Sequence, residues 1–150
     1  MKRNQCKSRM LHVCIAAAAM LLAIRASGDD DTFPTVHHSG DISFCSGGIG
    51  IDEVQTMKAQ AANYPLAVTF ITRVNNHDGY TAPEQVVIIK SDGTPVLDLK
   101  PDGPFLLVDL PPGKYQVSAG SAEQSRTQAV QIVRGAHKRL VFQLVSADTD

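Results

Sequence analysis

Four residues, His37, His38, Asp41 and Cys45, are of the types that hold a metal ion or arm a nucleophile. Adjacent histidines can ligate one ion together, and a thiolate or carboxylate can complete the set, but no spacing here matches a structural zinc motif. The segment is polar and loop-like, so it reads as a solvated arm, and no metal is expected. A serine nucleophile needs an elbow such as G-x-S-x-G, which Gly120-Ser121-Ala122-Glu123 does not supply. A phosphate-cradling loop needs Gly-Lys-Ser/Thr running into a helix. In Ser46-Gly47-Gly48-Ile49-Gly50 the glycines are instead followed by Ile51-Asp52. No catalytic residue and no cofactor is expected. Arg134, His137, Lys138 and Arg139 form a small basic cluster, read as a solvated strand edge protected from pairing. The chain has no Trp and only three tyrosines. Tyr64 and Tyr115 fall on expected core faces, which leaves Tyr80 as the one candidate ligand-binding platform.

The N-terminus bears on where such chemistry would operate. Lys2, Arg3, Lys7 and Arg9 precede an apolar run over 11–24, and small residues Ala26-Ser27-Gly28 follow. This is the tripartite pattern of a secretory signal peptide over residues 1–28, cleaved after Gly28 or Ala26. The run is short of the roughly 20 residues that span a bilayer, so no membrane span is expected after cleavage. A periplasmic or secreted location follows. The 150-residue chain has 14 Lys+Arg against 15 Asp+Glu; removing five basic residues with 1–28 leaves 9 against 15, a formal charge of −6. Such a surface has no basic stripe to neutralise phosphates, and nucleic acid is excluded as a partner. Cys6 and Cys14 leave with the signal, so Cys45 stands alone, an incidental or intermolecular thiol, and the fold rests on its apolar core.

Residues 29–50 read as a flexible arm, 51–145 as one domain and 146–150 as a tail. A helix is expected over 52–63, with Asp52 as N-cap, Gln55 completing a capping box, and Val54, Met57, Ala61 and Tyr64 on one face. Beyond it the pattern is β. Leu66, Val68 and Phe70 alternate with Ala67 and Thr69, Val86 to Ile89 is an unbroken β-branched run, and Leu140, Phe142 and Leu144 alternate with Val141 and Gln143. Turn signals at Asp78-Gly79, Asp92-Gly93, Asp102-Gly103-Pro104, Pro111-Pro112-Gly113 and Gly135 cut this region into about seven strands. That spacing predicts an all-β antiparallel sandwich, transthyretin-like or Ig-like, with one short N-terminal helix. The Val86–Ile89 run should be covered on both faces, the helix lying on its outer side. Phe105 to Ser118 reads as a hairpin, with Pro112 and Gly113 at the centre of a type II turn and Gly113 at positive φ.

The residues V-V-I-I-K-S-D-G-T-P-V-L at 86–97, G-P-F-L-L-V-D-L-P-P-G-K-Y-Q-V-S-A at 103–119 and L-V-F-Q-L at 140–144 resemble the carboxypeptidase regulatory-like domain. This is a transthyretin-like sandwich found in exported bacterial proteins, and the resemblance spans about 46–145. Small exported proteins of Gram-negative bacteria also share the S-G-G-I-G-I-D-E lead-in to a short helix at 46–53. The resemblance implies an appended binding module rather than an enzyme. A zinc peptidase site would need His-x-x-Glu, yet Gly40, Asp41, Tyr80 and Leu140 stand three residues after His37, His38, His77 and His137. Hydroxyisourate-cleaving relatives of transthyretin end in Tyr-Arg-Gly-Ser, whereas this chain ends Ser-Ala-Asp-Thr-Asp. Two functions follow as expectations: docking to another cell-envelope protein, or binding a glycan at Tyr80.

Overall fold

The computed structural model describes residues 34–145. The expected signal peptide, the start of the arm and the tail at 146–150 lie outside the described residues. Ten strands and one helix follow one another: β1 (His37–Ser39), β2 (Ile42–Gly47), α1 (Ile51–Gln60, continued by a 3-10 turn over Ala61–Asn63), β3 (Leu66–Val74), β4 (His77–Tyr80), β5 (Gln85–Lys90), β6 (Pro95–Leu99), β7 (Phe105–Asp109), β8 (Gly113–Gly120), β9 (Ser125–Ile132) and β10 (Lys138–Leu144). They form two sheets, β1-β2-β7-β3-β10 with β4 also on β3, and β6-β5-β8-β9. The fold is an all-β sandwich with one short helix.

The core follows from the period-2 alternation of each strand. Leu66, Val68, Phe70, Leu106, Val108 and Phe142 of the first sheet meet Val86, Ile88, Leu97, Tyr115, Val117 and Ile132 of the second. Pairing is antiparallel throughout except between β3 and β10, which run parallel from Leu66↔Lys138 to Thr72↔Leu144. The antiparallel expectation is corrected there: β9 belongs to the other sheet, so β10 re-enters the first from across the sandwich.

Seven expected strands are present, and three more were not read from the sequence. Two of them, β1 and β2, occupy the segment taken for a flexible arm. Ile42 and Phe44 turn into the sandwich while Cys45 turns outward, and β2 pairs with β7 from Ser43↔Asp109 to Gly47↔Phe105. The third, β4, includes Asp78-Gly79, which is strand rather than turn. The turn lies just before it, at Asn75 (φ 49°) and Asn76 (φ 64°), where two left-handed residues make the I′ geometry that suits a twisted hairpin. Arg73 clamps Asp78 across that hairpin, Nε to Oδ1 2.7 Å and Nη2 to Oδ2 3.1 Å.

The Pro111-Pro112-Gly113 corner is not a hairpin. Both edges of β7 are taken by β2 and β3, so the chain crosses to the other sheet, where β8 pairs with β5 and β9. Gly113 opens β8 opposite Ile132, without positive φ. The corner is held from the side: the buried Tyr115 donates its hydroxyl to the Pro111 carbonyl oxygen at 2.8 Å, a tyrosine corner.

The helix covers the first sheet, not the Val86–Ile89 run. It joins β2 to β3 through short links, which tether it over the strands it connects. Met57, with Val54, Ala61 and Tyr64 beside it, packs on Cys45, Ala67, Phe105 and Leu107. β7 is therefore the strand buried on both faces, whereas Val87 and Ile89 are only half-buried on an uncovered face. Capping also differs from expectation: Gly50 is the N-cap, and neither Asp52 nor Gln55 caps the helix. Glu53 reaches back past the N-cap instead and holds the preceding loop, its carboxylate accepting the Gly48 N–H at 3.2 Å and the Ile49 N–H at 3.1 Å.

Candidate functional site

Tyr80 ends β4 directly opposite Ile71, so its side chain stands on the helix side of the first sheet. The ring is 51% exposed and lies tilted against the buried Phe105 ring, centroids 5.1 Å apart. Lys58 of α1 places its Nζ 5.5 Å from the Tyr80 centroid, a cation–π contact. Phe105 also meets the loop that leads into α1. Gly48 has φ +98°, and a Cβ there would collide with the Phe105 ring, so glycine is required on both counts.

From that pinned loop project two large apolar side chains. Ile49 is 80% exposed and Ile51 82% exposed. Their backbone is fixed from two directions: Glu53 holds the Gly48 and Ile49 amides, and Val54 N–H bonds the Gly50 carbonyl oxygen at 2.9 Å. Gly48 and Tyr80 both meet the Phe105 ring, so the loop that carries Ile49 and leads to Ile51 starts from the same ring that Tyr80 rests on, and Lys58 reaches over Tyr80. Tyr80 was legible from the sequence as the exposed ring; the isoleucines were not, because I-G-I reads as linker until Glu53 is seen holding the loop.

The metal-type residues do not converge. His37 and His38 are successive residues of β1 and point to opposite faces, His37 stacking on Phe44 at 5.5 Å. Asp41 sits in the following turn, and Cys45 lies on the helix side of β2, sealed under α1. Among the described residues no group of three or more His, Cys, Asp or Glu side chains is placed to hold an ion. Burial pushes the Cys45 thiol above its usual range, partly offset by its hydrogen bond with the Tyr64 hydroxyl. Tyr64 is pushed up to about 12, first by burial, then by the Cys45 contact and the negative charge of Asp109. A fully buried, neutral thiol is neither a nucleophile nor open to a second chain in the folded state.

The basic cluster divides. His137 Nδ1 lies 3.0 Å from the Tyr64 carbonyl oxygen and the Lys138 N–H bonds the Pro65 carbonyl oxygen at 2.8 Å, so this segment docks β10 onto β3. Outer-edge protection comes from elsewhere, since Gln128 of β9 donates Nε2 to the Val141 carbonyl oxygen at 2.9 Å. A cavity of about 570 Å³ opens at one end of the sandwich between 81–84 and 120–124, with the exposed carboxylates of Glu84 and Glu123 at its mouth. Thr72 Oγ1 on its wall has no hydrogen-bond partner among the described residues. No helix among them is long and apolar enough to cross a membrane.

No protein-family model matches this chain, and no curated protein matches it.

Proposed function

We propose that this chain is a non-catalytic, exported β-sandwich module that docks another cell-envelope protein through the patch framed by Ile49, Ile51 and Tyr80. The observation that carries the reading is the pair of isoleucines, each about four-fifths exposed on a loop pinned by Glu53. Tyrosine is enriched at protein-binding hot spots, and a preorganised loop presents its apolar side chains at little ordering cost. The Leu110-Pro111-Pro112-Gly113-Lys114-Tyr115 corner, with its tyrosine hydrogen bond, supports the likeness to carboxypeptidase regulatory-like, transthyretin-like domains. Export under a signal peptide over 1–28, with cleavage after Gly28 or Ala26, places the module in the periplasm or outside the cell.

The glycan reading rests on Tyr80 alone, and Phe105 and Lys58 already occupy much of that ring's surroundings. Sugar stacking favours an open ring face, and specificity takes several such anchors. Photocrosslinking from position 49 in envelope extract should yield one dominant protein adduct, lost when Ile51→Ser is added. Binding on a glycan array that Tyr80→Ala abolishes, with no protein adduct, would replace this function by carbohydrate recognition. Mass spectrometry of the exported product should give an N-terminus at Asp29 or Ser27; a retained Met1 would remove the envelope from the proposal.

A further inference from the structure

Beside this patch the first sheet has an open edge. β3 pairs with β10 along one side; on the other it pairs with β7 through Thr69 and with β4 from Ile71 onward, so β7 and β4 lie in line. β2 covers the far edge of β7 only as far as Gly47, opposite Phe105, where the chain turns away through Gly48 into the loop. Among the described residues, no strand pairs with the outer edge of β4.

The register says which groups face that gap. Thr81 N–H bonds the Phe70 carbonyl oxygen at 3.2 Å, so the hydrogen-bonded pairs are Phe70/Thr81, Thr72/Gly79 and Val74/His77. Asp78 and Tyr80 therefore aim their N–H and C=O groups away from β3, and no described residue takes them up. Two donors and two acceptors at residues i and i+2 are what an extended backbone recognises. Gly79, between them, needs to be glycine for no reason internal to the fold: its φ is not positive and a Cβ would meet nothing within 4 Å. Strand glycines are found at bulges, at tight bends and where another backbone approaches closely, and the β3–β4 register runs through Gly79 without a bulge.

We infer that the outer edge of β4 accepts an extended segment of the partner protein as an added strand. Its backbone bonds Asp78 and Tyr80, and an apolar side chain rests against Tyr80 and Ile49. This deepens the docking reading above and rests on it. A second copy of this chain fits less well. It would bring an equally short β4, whereas a free segment can run past both ends of the gap and along the isoleucines.

The test uses dodecapeptides selected from a random phage-displayed library on the full protein, with amide exchange followed by NMR. Selected peptides should slow exchange of the Asp78 and Tyr80 amides by about tenfold or more, with little change at Gly79, which is already in the ladder. Asp78→Pro, which removes an outward N–H, should weaken binding about tenfold, as for one lost hydrogen bond, while Asp78→Asn keeps most of it. Peptides that bind without protecting these two amides would overturn the added strand. If Ile49→Ser/Ile51→Ser then abolishes their binding, the patch survives that failure. Selection of no peptide would also overturn it, as would a dimer in sedimentation with both amides protected before any peptide is added. Loss of the crosslinked adduct reading is scored separately, in envelope extract.

Discussion

The two outer faces of the sandwich make opposite bargains with water. On the first sheet, Cys45, Ala67, Phe105 and Leu107 form an apolar face that must be covered, and α1 covers it with Met57 at the centre. On the second, Val87 and Ile89 share their face with Gln116, Ser118 and Thr127, and no helix of the described residues lies there. Ser118 and Thr127 hydrogen-bond each other across the strands at 2.7 Å, and Gln85 donates to Asp98 at 2.7 Å. A face that satisfies its own polar groups can stay bare, and one that cannot recruits a layer. The apolar surface that matters for recognition lies where the cover ends, at Ile49 and Ile51.

The sharpest break of this comparison is a truncation on each face. Leu107→Ala removes a side chain buried between helix and sheet and should cost about 2–5 kcal/mol in urea unfolding. Val87→Ala, on the bare face, should cost less than half as much, about 1 kcal/mol. Equal losses would mean that α1 adds no real core.

A second pair sharpens the account of the corner where the chain changes sheets. Tyr115→Phe deletes the hydrogen bond to the Pro111 carbonyl oxygen and should cost about 1 kcal/mol. Gly113→Ala should cost less, because φ is not positive and the nearest atom to an added Cβ, on the Tyr115 ring, is 3.4 Å away. A larger loss for Gly113→Ala than for Tyr115→Phe, in thermal unfolding, would restore the type II turn.

An effect absent at neutral pH concerns the seam under the helix. The unfolded Tyr64 phenol titrates near pH 10, and folding raises it to about 12. The folded state then holds a proton that the unfolded state releases, so the stability contributed by this group is complete below pH 10 and falls as pH rises from 10 to 12. Tyr64→Phe should flatten that part of the stability–pH curve. Iodoacetamide should modify Cys45 only on unfolding, as peptide mapping would show; fast alkylation of the native protein would mean an open seam.

Much of this architecture was legible. Seven strands and the helix with its Val54, Met57, Ala61 and Tyr64 face follow from local periodicity, which records whether each residue meets water, and Tyr80 remains as the exposed ring once Tyr64 and Tyr115 are placed on core faces. The errors share one cause. Pro111-Pro112-Gly113 announces a change of direction, but whether the next strand pairs with β7 or crosses to the other sheet depends on β2 and β3 having filled both edges. Asp78-Gly79 has turn composition, yet Asn75 and Asn76, one step earlier, tolerate left-handed φ and take the turn.

The sequence by itself determined seven of the ten described strands and the amphipathic helix, because these depend on spacing along the chain. Only the tertiary structure decided which sheet the helix covers, that β10 joins β3 in parallel, that Cys45 is sealed away, and that Glu53 pins the loop displaying Ile49 and Ile51. Each of these is a contact between segments or across a loop, and its energy exists only once both partners are in place.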